Sequence, residues 1–467
     1  MTEYSLSHPS SPVRPVHDGL SVLFTLAVGI VLSAVVPVLL LDLNSDGRPA
    51  PWPLLGVLML SGVLFTRAAL GGERRLHEMV VWLYTYGFMG VAPVVQVELA
   101  SLPGTTPSID TSLVPTAGLL VLAGMVSFMV GGIVGQRGAS APVSVRGVDG
   151  RRTQVLTFLS CLVAAYYLVR VGPANLFTSR MHLESVRAGI WGDSPLGAIV
   201  YASTIMGLLV SFTAQMRLRW QEKQAGRTSL PLLPALTLIA LLVCANPIST
   251  ARYVFGTVAL GVLGAFGAYR TIRGYRIISF LALLGLFFIF PVLDAFRYTT
   301  SGDRISLSLL SALAGGDFDS FAQVINALTY VRDMGVTWGH QMLGVVLFWV
   351  PRSLWSGKPL DSGPLLAVHQ GYGFTNLSAP LWAEFYLNWG WVGVIGGMFL
   401  FGMWVRRADQ RANILLGRSP VPGPWTAIIP FYLLIVLRGS LLQAMTYLVI
   451  VVIGGWFVRQ GAQSRVD

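Results

Sequence analysis

Apolar runs long enough to cross a bilayer recur along the whole of this 467-residue chain. A helix rises about 1.5 Å per residue, so a hydrocarbon core of about 30 Å takes about 20 apolar residues to cross. In lipid each backbone N–H and C=O must be satisfied inside the segment, which makes helices the solution for runs of this length. Spans are expected near 19–41, 52–66, 79–97, 114–135, 154–170, 195–214, 230–246, 253–269, 277–293, 382–404, 425–437 and 440–457. The fold class is therefore an all-α polytopic membrane protein of about 12 transmembrane helices. Composition agrees: 54% hydrophobic and 11% charged residues, with a mean hydropathy of +0.66, exclude an ordinary soluble protein. The first run is too long for a removed signal peptide and lacks a small-residue cleavage site, so it reads as a retained helix. Cys161 and Cys244 both fall inside spans and read as buried apolar side chains, not as a disulfide.

Charge sets the expected orientation. With the N-terminus inside and the spans alternating, every inner loop is basic, while the outer loop 98–113 holds no Lys or Arg. This is the positive-inside pattern. It accounts for the net charge of +11 without nucleic acid. Both termini are expected in the cytoplasm of a bacterium, with the chain in its plasma membrane. The expected organisation is a cytoplasmic tail (1–18), nine helices (19–293), a large extracytoplasmic loop (294–381), three more helices (382–457) and a second tail (458–467).

The exceptions to the charge rule are Arg48, Arg170, Arg180, Arg187, Arg252, Arg297, Arg304, Arg332, Arg352, Lys358 and Arg438. Nearly all belong to two outer loops, 171–194 and 294–381, or to helix ends beside them. In the first, Arg180, Glu184 and Arg187 stand at i, i+4 and i+7, one face of a helix. In the second, Phe318, Phe321, Ile325 and Leu328 recur at helical spacing. They predict an amphipathic helix from about 318 to 333, with Asp317 as its N-cap. Asp317 and Asp319 also form a D-x-D pair of the kind that binds metal in some glycosyltransferases, but capping is the favoured reading and no metal is expected. The apolar run 342–350, ended by Pro351, predicts a re-entrant or interfacial helix with Trp349 and Trp355 at headgroup depth. Glu384 enters a span: it is either a helix-dipole partner or, as an ionisable group at membrane depth, a functional one.

Guanidinium groups suit phosphate through their bidentate fork. Anionic headgroups would satisfy a few of these cations, but a pyrophosphate-linked lipid explains the set better: dense charge at headgroup level, a tail for the bundle, and sugars for a loop rich in Trp and Tyr. The chain has no Gly-rich nucleotide loop and no G-x-S-x-G elbow.

At these residues the chain resembles the Wzy-type O-antigen and oligosaccharide repeat-unit polymerases. The resemblance rests on Ser179-Arg180, on the turn Asn246-Pro247 to Arg252-Tyr253, and on Asp317 and Asp319. It rests most on Gly339, Gln341, Gly344, Pro351, Arg352, Trp355, Lys358 and Pro359. Asn376, Ser378, Pro380, Glu384, Asn388, Gly390, Gly393 and Arg438-Gly439 complete it. It implies a C-type glycosyltransferase fold and transfer of a growing glycan from polyprenyl pyrophosphate to another lipid-linked repeat unit, without cofactor. Phosphate binding would fall to Arg180, Arg252, Arg352, Lys358 and Arg438, joined on the charge argument by Arg187 and Arg297. Arg352 and Arg438 would also act in catalysis. A base must take the acceptor proton: Glu384 is the first choice, then Glu184, His340 or His369. Trp355, His340, His369, Asn376 and Asn388 would contact sugar. Expected partners are polyprenyl-pyrophosphate-linked oligosaccharides, the lipid bilayer, and flippase and chain-length regulator proteins.

The competing readings are a ligase-like transferase, which shares the donor, and a flippase, which predicts paired repeats and midplane helix breaks. No repeat is visible. Replacing Arg352 or Arg438 by Ala is expected to leave folding intact and abolish polymer.

Overall fold

A computed structural model of the chain describes residues 19–44, 49–137, 146–192, 195–228, 231–289 and 309–460. Among them there is no strand, and the protein is an all-α membrane protein. Eight helices are long and apolar enough to cross a membrane: Val22–Leu41, Trp52–Leu70, Leu76–Glu98, Thr111–Arg137, Gly150–Val171, Leu196–Gln224, Ile272–Ile289 and Leu381–Arg418. The other four expected spans are helical but shorter: Leu232–Cys244, Arg252–Ala265, Pro424–Arg438 and Leu441–Phe457. Pro and Gly set their ends. Leu232–Cys244 is followed by Asn246-Pro247, Arg252–Ala265 stops before Gly267 (φ 82°), and Pro424–Arg438 stops at Gly439. Cys161 and Cys244 are free, Cys244 buried as expected and Cys161 exposed.

Burial sorts the helices. The central one, Leu76–Glu98, has 94% of its apolar window buried, whereas Val22–Leu41 has 11% and stands at the periphery. Two hydrophobic cores result. The first gathers the helices before residue 138 with Tyr275, Leu283, Phe321, Trp382 and Phe431. The second gathers Tyr167, Ile205, Leu209, Leu241, Val258 and Val451. Helix Pro424–Arg438 belongs to both. Ile428, Tyr432 and Ile435 point into the second core, and Phe431 and Leu437 into the first. It thereby delivers Arg438 to the seam between them.

Among the described residues the most extensive helix pairing joins Thr111–Arg137 to Leu381–Arg418. Gly131 and Gly135, one turn apart, face the carbonyls of Phe399 and Met403, and a Cβ at either would collide with that backbone. Close approach of this kind is how helices associate where lipid removes the hydrophobic drive between them.

Two expectations are corrected, the exposure of the helix near 318–333 and its cap, and two further segments are described more closely. The predicted amphipathic helix is Ser320–Met334, but residues 320–329 are buried on every side, so it lies inside the protein. Asp317 is not its N-cap; the N-cap position is Asp319, with no side-chain capping bond. The re-entrant segment is only the short helix His340–Val346 followed by turns. Trp349 beyond it is exposed, and Trp355 is half-buried. The span expected at 382–404 is broken: Trp389 and Gly390 leave helical geometry, Gly390 at φ 61°. The eight residues before the break pack inward and the rest runs on to Arg418.

Candidate functional site

Helix Arg180–Trp191 starts at Ser179, whose hydroxyl accepts from the His182 N–H at 3.3 Å. Its position is fixed by the neighbouring turn. Asn246 Oδ1 accepts from the N–H groups of Ile248 (3.0 Å) and Ser249 (3.1 Å). The Asn246 amide and the Ser249 hydroxyl both donate to the Leu176 carbonyl, at 2.9 and 2.7 Å. This Asx turn ties the loop before Arg180 to the turn before Arg252.

The result is a polar cavity of about 420 Å³. Arg180, Glu184 and Arg187 line it from one helix face, as the spacing predicts. Tyr201 lines it from Leu196–Gln224, Tyr253 from the start of Arg252–Ala265, Asn376 from the long loop, and Tyr447 from Leu441–Phe457. Arg180 Nε donates to Glu184 Oε1 at 2.8 Å. The Arg187 guanidinium lies 3.9 Å from the centroid of the Tyr201 ring, and its buried Nε has no hydrogen-bond partner. Tyr167 stacks on Trp191 at the same end. Aromatic faces beside two guanidiniums suit a ligand that combines sugar with phosphate.

Arg252 and Arg438 stand behind this cavity, not in it. Arg252 pairs with Asp317. Arg438 donates through Nε (3.1 Å) and Nη2 (2.9 Å) to the Asp317 carbonyl, and Nη2 lies 3.6 Å from carboxylate oxygens of both Asp317 and Asp319. Asp319 also accepts from the Ser378 N–H at 3.1 Å. Two cations meet two anions in a buried knot, so the phosphate role given to Arg252 and Arg438 is corrected to a structural one. Tyr253, which lines the cavity, has its ring 5.7 Å from the Arg438 guanidinium carbon.

The Pro-Arg-to-Lys-Pro segment is likewise self-contained. Arg352 donates to the carbonyls of Lys358 (2.6 Å) and Pro359 (2.9 Å), and Lys358 Nζ to those of Phe348 (2.6 Å) and Val350 (2.8 Å). These cations staple their own loop. Burial, helped by the Arg352 charge, lowers the pKa of Lys358. His340 sits against Trp355, ring centroids 6.1 Å apart, away from the cavity. His369 faces Asp333 (3.2 Å) and Tyr330.

Glu384 is 1% exposed, and each of its carboxylate oxygens accepts a hydrogen bond. Oε1 accepts from the Leu441 N–H (2.9 Å) and Oε2 from the Ser362 hydroxyl (2.8 Å). It anchors the starts of helices Leu441–Phe457 and Ser362–Gln370, so its assignment as first-choice base is corrected. Asn388 is buried too. It donates to the Glu384 carbonyl (2.8 Å) and accepts from the Met342 N–H (3.1 Å), holding the 337–342 loop against the helix break. Of the candidate bases only Glu184 lines the cavity. Arg297 lies outside the described residues.

Tyr201 and Tyr447 were not foreseen as site residues. Near span ends a tyrosine reads as part of an aromatic belt, and only the fold turns these two inward. Asp361 was also missed. It accepts from the Ser362 N–H at 3.1 Å, and burial pushes its carboxyl up to about 6, against the opposing pull of hydrogen bonds from Ser440 and Ser362. A raised folded-state pKa means that the folded protein holds this proton more tightly than the unfolded chain. Its stabilising effect is complete below the ordinary Asp range and is lost as pH rises through about 6. Wild-type protein is expected to lose about 2 kcal/mol of stability between about pH 4 and pH 7 through this group. Asp361→Asn should remove that part of the pH profile, as read by thermal unfolding; an unchanged profile would refute the assignment.

No family model, curated protein or solved structure matches the chain.

Proposed function

We propose that the protein is an extracytoplasmic polymerase that transfers a growing glycan from polyprenyl pyrophosphate to a lipid-linked oligosaccharide repeat unit. The observation that carries this reading is the single cavity that joins Arg180, Arg187 and Glu184 to Tyr201, Tyr253 and Tyr447. The charge asymmetry of the loops supports an outward-facing position for it, in a bacterial plasma membrane with both termini inside. Resemblance to the Wzy-type polymerases in short motifs adds to it.

The donor pyrophosphate lies against Arg180 and Arg187, whose fixed charges stabilise it as it departs. The acceptor hydroxyl oxygen bonds to the anomeric carbon, the bond from that carbon to the pyrophosphate oxygen breaks, and the proton passes to Glu184. Asn376 and the tyrosines hold sugars by hydrogen bonds and ring faces. Buried Arg252, Arg438, Asp317 and Asp319 set the geometry of the wall.

Purified protein given a defined lipid-pyrophosphate repeat unit, with no nucleotide sugar, is expected to make a ladder with repeat-unit spacing on a gel. Chelation by EDTA is expected to leave the ladder unchanged, because the Asp317 and Asp319 carboxylates are already met by guanidiniums. A ladder lost in EDTA would restore the metal reading of the D-x-D pair. A single transfer onto a different acceptor would make the protein a ligase, and no product at all would favour transport of the lipid-linked oligosaccharide.

A further inference from the structure

Helix Leu196–Gln224 runs from Tyr201 in the cavity to Arg217, about 24 Å away at 1.5 Å per residue, and so reaches the opposite end of the bundle. A second, smaller cavity of about 120 Å³ opens there, lined by Arg146, Arg217, Arg459, Ser419 and Trp425. Three guanidiniums share it, and no ion pair to any of them exists among the described residues. Arg217 is only 4% exposed. It donates to neutral oxygens alone, the Ser419 hydroxyl and the Val421 carbonyl (2.7 Å), and its buried Nε has no partner. Its other neighbour is the Trp220 ring, 4.5 Å from the guanidinium carbon. Arg459 lies over the Trp425 ring, its guanidinium carbon 5.5 Å from the ring centroid.

A buried cation without an anion is costly, and like charges brought together add to the cost. Burial and the neighbouring Arg146 charge both lower the pKa of Arg459, as expected of a cluster that lacks its counter-ion. The arrangement is held in place by secondary structure: Val148 and Arg459 form an antiparallel bridge, and the Asp149 N–H donates to the Val458 carbonyl at 2.8 Å. Cations preorganised in this way, with an orphaned donor among them, form an anion site.

We infer that the Arg146–Arg217–Arg459 cavity binds a phosphate group at the end of the bundle opposite the glycan cavity. The group is carried either by an anionic phospholipid headgroup or by a small soluble phosphate. This inference does not depend on the polymerase reading.

The test uses purified full-length protein in a neutral detergent, with thermal unfolding followed during titration. The probes are phosphatidylglycerol, phosphatidylcholine and inorganic phosphate. Wild type is expected to be stabilised by phosphatidylglycerol or by inorganic phosphate, and not by phosphatidylcholine. The double variant R146Q/R459Q, which leaves the buried Arg217 in place, is expected to bind at least about tenfold more weakly, the loss of one charge-assisted contact. Stabilisation by phosphatidylglycerol alone identifies the lipid source, and stabilisation by inorganic phosphate the soluble one. Equal stabilisation of wild type and variant, or none of wild type by either anion, overturns the site. If the double variant does not fold, R459Q alone is used with the same criteria.

Discussion

If the proposed polymerase reading holds, replacing Arg187 with Ala should reduce polymer formation by about 10²–10⁴-fold, the loss of two charge-assisted hydrogen bonds of about 1.5–3 kcal/mol each to a departing pyrophosphate. The fold should survive, because among the described residues this guanidinium stacks on Tyr201 and its Nε has no hydrogen-bond partner; the stack is worth about 1 kcal/mol at most sites. Arg187→Lys should recover only part of the rate, since an ammonium keeps the charge but loses the planar fork. The measurement is initial rate on the defined lipid-pyrophosphate substrate, beside a melting curve for each variant. A wild-type rate from Arg187→Ala would remove this cavity from the chemistry.

The largest stability effect is expected at Asp317. Asp317→Ala takes the anion from between Arg252 and Arg438, leaving Arg438 only its 3.6 Å contact with the Asp319 carboxylate. Breaking a buried ion pair from one side costs about 3–5 kcal/mol, and here one carboxylate serves two cations. Asp319→Ala should cost less, since its guanidinium contact is at 3.6 Å and its firmer bond is to the Ser378 N–H. Arg438→Ala, expected from sequence to spare the fold, should now destabilise as well. A melting temperature for Asp317→Ala equal to wild type would mean that the knot contributes nothing. The Ala substitution at Arg352, by contrast, should loosen residues 348–359 without touching the cavity wall.

Much of the architecture was readable because apolar periodicity and loop charge are local signals. The register of Arg180, Glu184 and Arg187 on one helix face follows from 3.6 residues per turn and holds in the structure. Partners far apart in sequence are a different matter. Nothing near Asp317 announces that Arg252 and Arg438 will converge on it, so it looked like a cap. Arg352 and Lys358 looked like ligand-binding cations because a sequence does not show which carbonyls a loop will turn toward them. Glu384 carried a correct signal, an ionisable group at membrane depth, but its two oxygens are spent on the starts of two other helices. Tyr201 and Tyr447 were invisible for the opposite reason: tyrosines near span ends are common, and only the fold decides which face inward.

The pairing of Thr111–Arg137 with Leu381–Arg418 sets a timetable for synthesis. At about 5–20 residues per second, the roughly 240 residues between the two helices take about 12–50 s to emerge from the ribosome. Throughout that interval the notch made by Gly131 and Gly135 has no helix to receive. Lipid or an insertion chaperone must occupy it, and whatever does so must yield when the later helix arrives.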